Sequence, residues 1–81
     1  MMIDAELTPA TMDRLKALQS QGCTDIRVTK ILISGRPHER WRGSLRLPNA
    51  HPDDPPLEFS RSYGEAAGVA LAHAAEHARR I

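Results

Sequence analysis

The chain has 81 residues, enough for one small domain, and its charge is nearly balanced, with 11 Lys and Arg against 10 Asp and Glu. The charged fraction of 26% is ordinary for a soluble globular domain, and no apolar run is long enough to span a membrane. The acidic N-terminus lacks the basic segment of a signal peptide. Cys23 is the single cysteine, which excludes an internal disulfide and fits a reducing compartment. These features predict a cytoplasmic protein without a membrane partner.

The chain opens with a segment, residues 1–7, that we expect to be flexible, and a helix follows it. Thr8 and Pro9 together form a helix-start signal, because the hydroxyl caps the first turn and the fixed φ of proline suits it. Apolar residues recur at helical spacing after this signal, and Gly22 is a natural stop. The pattern predicts a helix over residues 9–21.

The middle of the chain predicts three strands. Residues 25–33 are rich in β-branched side chains, and residues 39–47 alternate apolar and polar positions. A loop with glycine and proline separates these two strands, which indicates a hairpin. Residues 48–56 hold four of the six prolines and predict a stiff, exposed loop. A short third strand over residues 57–60 follows this loop.

The last part of the chain predicts a second helix that runs to about Arg80. Ser62 and Glu65 have the spacing of a capping box, and alanine-rich positions form one stripe after it. The expected order is therefore α-β-β-β-α in a single α+β domain over residues 1–81. Two helices would cover one face of a three-stranded antiparallel sheet and leave the other face open.

Arginine marks the open face of this predicted sheet. In the second strand the outward positions are Arg40, Arg42, Ser44 and Arg46, and the inward positions are Trp41, Gly43, Leu45 and Leu47. Arg27 of the first strand also points outward. Residues 24–47 hold six basic and two acidic residues, whereas the rest of the chain holds five and eight. Because like charges on one strand repel, the row favours an anionic partner, and a solvated polar face is the other interpretation.

The layout resembles the double-stranded RNA-binding domain over most of the chain. Residues 35–38, Gly-Arg-Pro-His, stand between the first two strands, and residues 65–72 form an alanine-rich start of the last helix. In that family a loop histidine enters the RNA minor groove, and a lysine cluster at the start of the last helix contacts phosphates. The resemblance implies the first role for His38 and, since this chain has no lysines there, the second for Arg61. The same likeness implies the α-β-β-β-α fold.

Two other features match patterns of catalytic or metal-binding residues. His73, Glu76 and His77 match the H-x-x-E-H pattern of a zinc protease, but no carboxylate ligand follows them, so we interpret them as surface residues near a helix end. Cys23 follows a predicted helix end, where nothing lowers a thiol pKa, and we expect a small buried side chain. We therefore expect no enzyme activity, no metal and no cofactor.

The sequence thus predicts a small non-enzymatic module that binds an anionic surface. The expected binding residues are Arg27, Arg36, His38, Arg40, Arg42, Arg46 and Arg61. The partner that we expect first is an acidic surface of a protein or nucleoprotein complex. The module would act on it as an inhibitor or regulator of the kind that phages and mobile elements encode, CRISPR inhibitors included. A diverged double-stranded RNA- or nucleic-acid-binding domain is the alternative, although no outward aromatic is predicted for base stacking. The sequence also leaves open the formation of a homodimer through the last helix or through strand edges.

Overall fold

The fold, seen in a computed structural model that describes residues 1–31 and 40–79, contains four strands and two helices within those ranges. They are β1 (Met2–Ile3), α1 (Pro9–Ser20), β2 (Thr24–Ile31), β3 (Arg40–Arg46), β4 (Leu57–Arg61) and α2 (Gly64–Arg79). The strands form one sheet in the order β1-β2-β3-β4. The small α+β domain is confirmed. The three-stranded antiparallel sheet is wrong, because β1 adds a fourth strand parallel to β2.

The additional strand lies inside the segment 1–7, for which the sequence predicts flexibility. Ile3 is registered with Val28 of β2, and the N–H of Asp4 donates to the Val28 carbonyl at 2.9 Å. Parallel neighbours need a crossover between them, and α1 provides it. A strand of two residues is too short to show a period of two, so hydrophobic patterning gives no sign of it.

The first helix begins and ends close to the predicted positions. Thr8 is its N-cap, and the Thr8 hydroxyl accepts the N–H of Thr11 at 3.3 Å. Pro9 stands in the first turn. Gly22 follows the helix with φ at 103°, a conformation that an L side chain rarely adopts.

The core lies between one face of the sheet and both helices. Its buried hydrophobic residues are Leu15, Leu18, Cys23, Ile26, Val28, Leu45, Ala67, Leu71, Ala72 and Ala75. Ile26, Val28 and Leu45 occupy the inward strand positions that the alternation predicts, and Cys23 is buried as expected. Gly43 lets α2 approach β3, since a Cβ at this position would lie 2.9 Å from the Ala67 carbonyl oxygen. The helices therefore cover the side opposite the outward arginines.

The carboxylate of Glu65, a residue of α2, accepts hydrogen bonds from the start of α1. Glu65 accepts the backbone N–H of Thr8 at 2.9 Å, the Thr8 hydroxyl at 3.0 Å and the hydroxyl of Thr11. The bond from Thr11, assisted by those from Thr8, lowers the pKa of Glu65 below its ordinary value. The spacing from Ser62 predicts that Glu65 caps its own helix, but its carboxylate instead binds the other helix, 57 residues away along the chain.

Candidate anion-binding face of the sheet

Four arginines of β2 and β3 lie together on the face of the sheet that no described helix covers. We call Arg27, Arg40, Arg42 and Arg46 the arginine face. In the antiparallel register Arg27 stands opposite Ser44, the residue between Arg42 and Arg46. Diagonal neighbours of this kind have Cα atoms about 7–8 Å apart, well within reach of arginine side chains. The alternation therefore points the four arginine side chains to the same face of the sheet.

A β-bulge places a carboxylate beside one end of this patch. Between Thr24 and Arg27 the pairing with β3 slips by one residue, and Asp25 adopts a φ of 53° there. Aspartate tolerates this left-handed region better than most residues. An Asp25 carboxylate oxygen lies 3.8 Å from Nε of Arg46, and Arg46 also donates from Nη1 to the Asp54 carbonyl at 3.2 Å. These contacts hold the Arg46 side chain against the surface.

A second carboxylate orients the centre of the patch. Glu58 of β4 stands diagonally across from Arg42, and its Oε1 lies 2.7 Å from the Arg42 Nε. Both side chains are about half exposed, at 51% and 46%. An exposed ion pair contributes only about 0–1 kcal/mol. Its main effect is to direct the guanidinium, whose two Nη groups have no acceptor among the described residues.

The remaining members of the arginine face carry no ion pair within the ranges that the structure describes. Arg27 lies next to β1, opposite the exposed side chain of Met2. Arg40 stands at the far end of β3, opposite Ile31. Among these six side chains, four arginines against Glu58 and Asp25 give an excess of two positive charges. The patch is thus cationic, but it also contains acceptors of its own.

Arg61, another of the predicted binding residues, does not join this patch. Arg61 is registered with the inward-facing Trp41, and its guanidinium lies 5.7 Å from the centroid of the Phe59 ring, so it belongs to the helix side of the sheet. Arg36 and His38 lie outside the described residues. The described part of the arginine face carries no aromatic side chain on which a nucleic-acid base could stack.

An open groove adjoins the Arg46 end of the patch. It has a volume of about 620 Å³ and lies between the proline-rich loop, the end of β3 and the C-terminal part of α2. The groove has apolar walls from Leu47, Pro48, Pro55 and Leu57, and Arg46 also lines it. Cation and apolar surface therefore meet at one end of the face. Sequence patterning predicts the loop but not the groove, which depends on where the loop lies relative to α2.

The glutamate of the H-x-x-E-H motif on α2 forms an ion pair with α1. Glu76 receives the guanidinium of Arg14 from α1, with Nε at 3.2 Å from both carboxylate oxygens. His73 and His77 are exposed. Among residues 1–31 and 40–79, no three His, Cys, Asp or Glu side chains are grouped so that they would hold a metal. None of the described helices combines the length and apolar character needed to cross a bilayer.

No protein family model, no curated protein and no solved structure matches this chain. The resemblance to the double-stranded RNA-binding domain therefore stays a prediction. The order α-β-β-β-α does recur from α1 to α2, after the additional first strand.

Proposed function

We propose that this protein is a small non-enzymatic binding module that docks an acidic surface of a protein partner through the arginine face, as an inhibitor or regulator. The observation that carries the proposal is the grouping of four arginines on the side of the sheet that no described helix covers, with Arg42 directed by the carboxylate of Glu58. A guanidinium held in place loses less side-chain entropy on binding, and its free Nη groups match a carboxylate in a two-point contact.

Two features favour protein over nucleic acid as the partner. Glu58 and Asp25 lie among the arginines, and their carboxylates would repel a phosphate backbone. A protein surface, in contrast, also offers hydrogen-bond donors to these two carboxylates. The groove beside Arg46 has apolar walls, so it would receive an aliphatic side chain of the partner next to a carboxylate that pairs with Arg46. Recognition of this mixed kind, with charges that steer encounter and an apolar anchor beside them, is typical of protein interfaces.

The test compares two probes, a synthetic 20-residue peptide rich in Glu and Asp and a 20-base-pair RNA duplex, at equal ionic strength. We expect the peptide to bind the native protein more tightly than the duplex does. Arg27→Glu and Arg40→Glu should each weaken peptide binding about tenfold, since each replaces an attraction by a repulsion. Lys16→Glu is the matched control, because it makes the same change of charge at an exposed position of α1.

Backbone amide shifts in NMR spectra then locate the contact. Shifts confined to β2 and β3 would support the proposal. Tighter binding of duplex RNA would instead identify a nucleic-acid module. An equal loss of affinity in Lys16→Glu would show that only net charge matters, and the arginine face would then be a solvated surface.

A further inference from the structure

The groove beside Arg46 has a wall that the fold holds in place at both ends. At the start of the proline-rich loop, a Cβ on Gly22 would lie 3.2 Å from the Cβ of Pro48, so the loop begins in contact with the end of α1. Near the end of the loop, the carbonyl of Asp54 accepts Nη1 of Arg46 at 3.2 Å. A wall that is already ordered loses little conformational entropy when a ligand binds.

We propose that the groove binds a short extended segment of the partner in which an aliphatic side chain lies two residues from a carboxylate. This inference rests on the proposed function, and it names the part of the partner that the Arg46 end of the arginine face would recognise. The groove volume of about 620 Å³ lies within the range of sites that enclose a drug-sized ligand, about 300–1,000 Å³. That is more than one aliphatic side chain needs, and it matches a stretch of a few residues.

Arg46 determines the charge of the segment. Its Nε lies 3.8 Å from Asp25 and its Nη1 donates to the Asp54 carbonyl, but its Nη2 has no acceptor among the described residues. A guanidinium with an unused donor is complementary to a carboxylate. The carboxylate of Asp54 also lines the groove, and its Oδ2 accepts the N–H of His51 at 3.1 Å, so this acidic group is engaged within the loop.

Asn49 supplies the polar group that a peptide backbone needs. Its side chain lines the groove, is exposed and has no hydrogen-bond partner in the part of the chain that the structure describes. A side-chain amide both donates and accepts hydrogen bonds, so it can bind the N–H or the C=O group of an extended chain. Leu47 and Leu57, both half-buried, provide the apolar surface for an aliphatic side chain.

The spacing of two residues follows from the geometry of an extended chain. Its side chains at positions i and i+2 point to the same side and are about 6.6 Å apart, whereas the side chain between them points away. Arg46 and Pro48 of this protein, themselves two residues apart, line the groove together. A carboxylate on Arg46 therefore brings an aliphatic side chain two residues away to the apolar wall, and one residue away would direct it into solvent.

The test uses a peptide of the sequence Glu-Thr-Glu-Thr-Leu-Thr-Glu-Thr-Glu, which reads the same in both chain directions. One control peptide has alanine in place of the leucine, and a second exchanges the leucine with the threonine before it, so that composition and charge are unchanged. The native protein should bind the first peptide about tenfold more tightly than either control, because only its leucine reaches the apolar wall beside a paired carboxylate. NMR titrations give the three affinities.

Two substitutions at exposed positions of the groove probe the same contact from the side of the protein. Ala50→Tyr places a bulky side chain in the groove and should abolish the preference for the leucine peptide, and Ala17→Tyr, on the exposed side of α1, is its matched control. Asn49→Ala should weaken binding of the leucine peptide about fivefold, as expected for one lost hydrogen bond. Gln19→Ala removes an exposed amide from α1 and should have no such effect.

Contacts between the methyl groups of the bound leucine and those of Leu47 and Leu57, seen as nuclear Overhauser effects, would place the side chain in the groove. Equal affinities for the leucine and alanine peptides, or an unchanged preference in Ala50→Tyr, would overturn the groove as the binding site. Equal affinity for the rearranged peptide would overturn the extended segment. In each of these cases, binding of the 20-residue acidic peptide to the arginine face would leave the proposed function standing. A protein that binds no acidic peptide would refute both.

Discussion

The close approach of α2 to β3 predicts a large effect of one methyl group. Gly43 is buried in β3, and a Cβ there would lie 2.9 Å from the Ala67 carbonyl oxygen and 3.2 Å from the Leu71 Cβ. An ordinary contact needs at least 3.4 Å, so α2 must move by about 0.5 Å relative to the sheet. The obstacle is helix backbone, which cannot rotate away as a side chain does. Gly43→Ala therefore forces two packed elements apart.

The magnitude follows from two opposed terms. Overpacking of a core costs about 1–3 kcal/mol, and replacing glycine by alanine returns about 0.4–1 kcal/mol by restricting the unfolded chain. Because the obstacle is helix backbone, the cost lies in the upper part of the first range, about 2–3 kcal/mol, and the net loss is about 1–2 kcal/mol. For a domain of this size each kcal/mol lowers Tm by about 4–8 °C, so Tm should fall by about 5–15 °C.

Thermal and urea unfolding followed by the fluorescence of Trp41, the single tryptophan, measure this loss. Ser44→Ala is the control, since it changes the neighbouring residue on the outward side without adding an atom to the core. A Tm for Gly43→Ala within about 2 °C of the native value would refute the reasoning, because α2 would then be free to shift.

Two further predictions concern carboxylates. The folded state lowers the pKa of Glu65, so the stability that Glu65 contributes is present above the ordinary glutamate pKa of about 4.5 and is lost as the pH falls through the lowered value. Glu65→Gln should therefore be less stable than the native protein by about 1 kcal/mol at pH 7. A difference in stability between the two proteins that does not narrow below about pH 4 would contradict the role of the bonds from Thr8 and Thr11. A double-mutant cycle of Arg42→Ala and Glu58→Ala should give a coupling of about 0.2–1 kcal/mol that shrinks in high salt, and a coupling above about 2 kcal/mol would mean that the exposed pair is far less hydrated than its geometry indicates.

The alternation of side chains is sufficient to predict where the arginines point, because each follows from a local period of two. It also predicts that Glu58 points outward. The ion pair between Glu58 and Arg42 could not be predicted, since it depends on how β4 is registered against β3, and alternation leaves that register open. Asp25 reaches Arg46 only because a bulge interrupts β2, and a positive φ at an aspartate has no sequence pattern of its own.

The parallel strand β1 escapes sequence analysis for a different reason. Its stability derives from tertiary contacts, with Ile3 and Leu7 packed against the core, rather than from local propensity. Local rules also predict the wrong partner for Glu65. The spacing of a capping box places its carboxylate at the start of its own helix, whereas the carboxylate binds the start of α1. Prediction from sequence thus succeeds for elements and faces, and fails where two segments distant in the chain meet.

The contacts between α1 and α2 join the beginning of the chain to its end. The bonds from Thr8 to Glu65 and from Arg14 to Glu76 span 57 and 62 residues, and four of the ten buried hydrophobic core residues lie in α2. A nascent chain lacks these partners until the residues through α2 have left the ribosome. The sheet and α1 would remain with an uncovered apolar face until then, so folding should follow synthesis of this domain rather than accompany it.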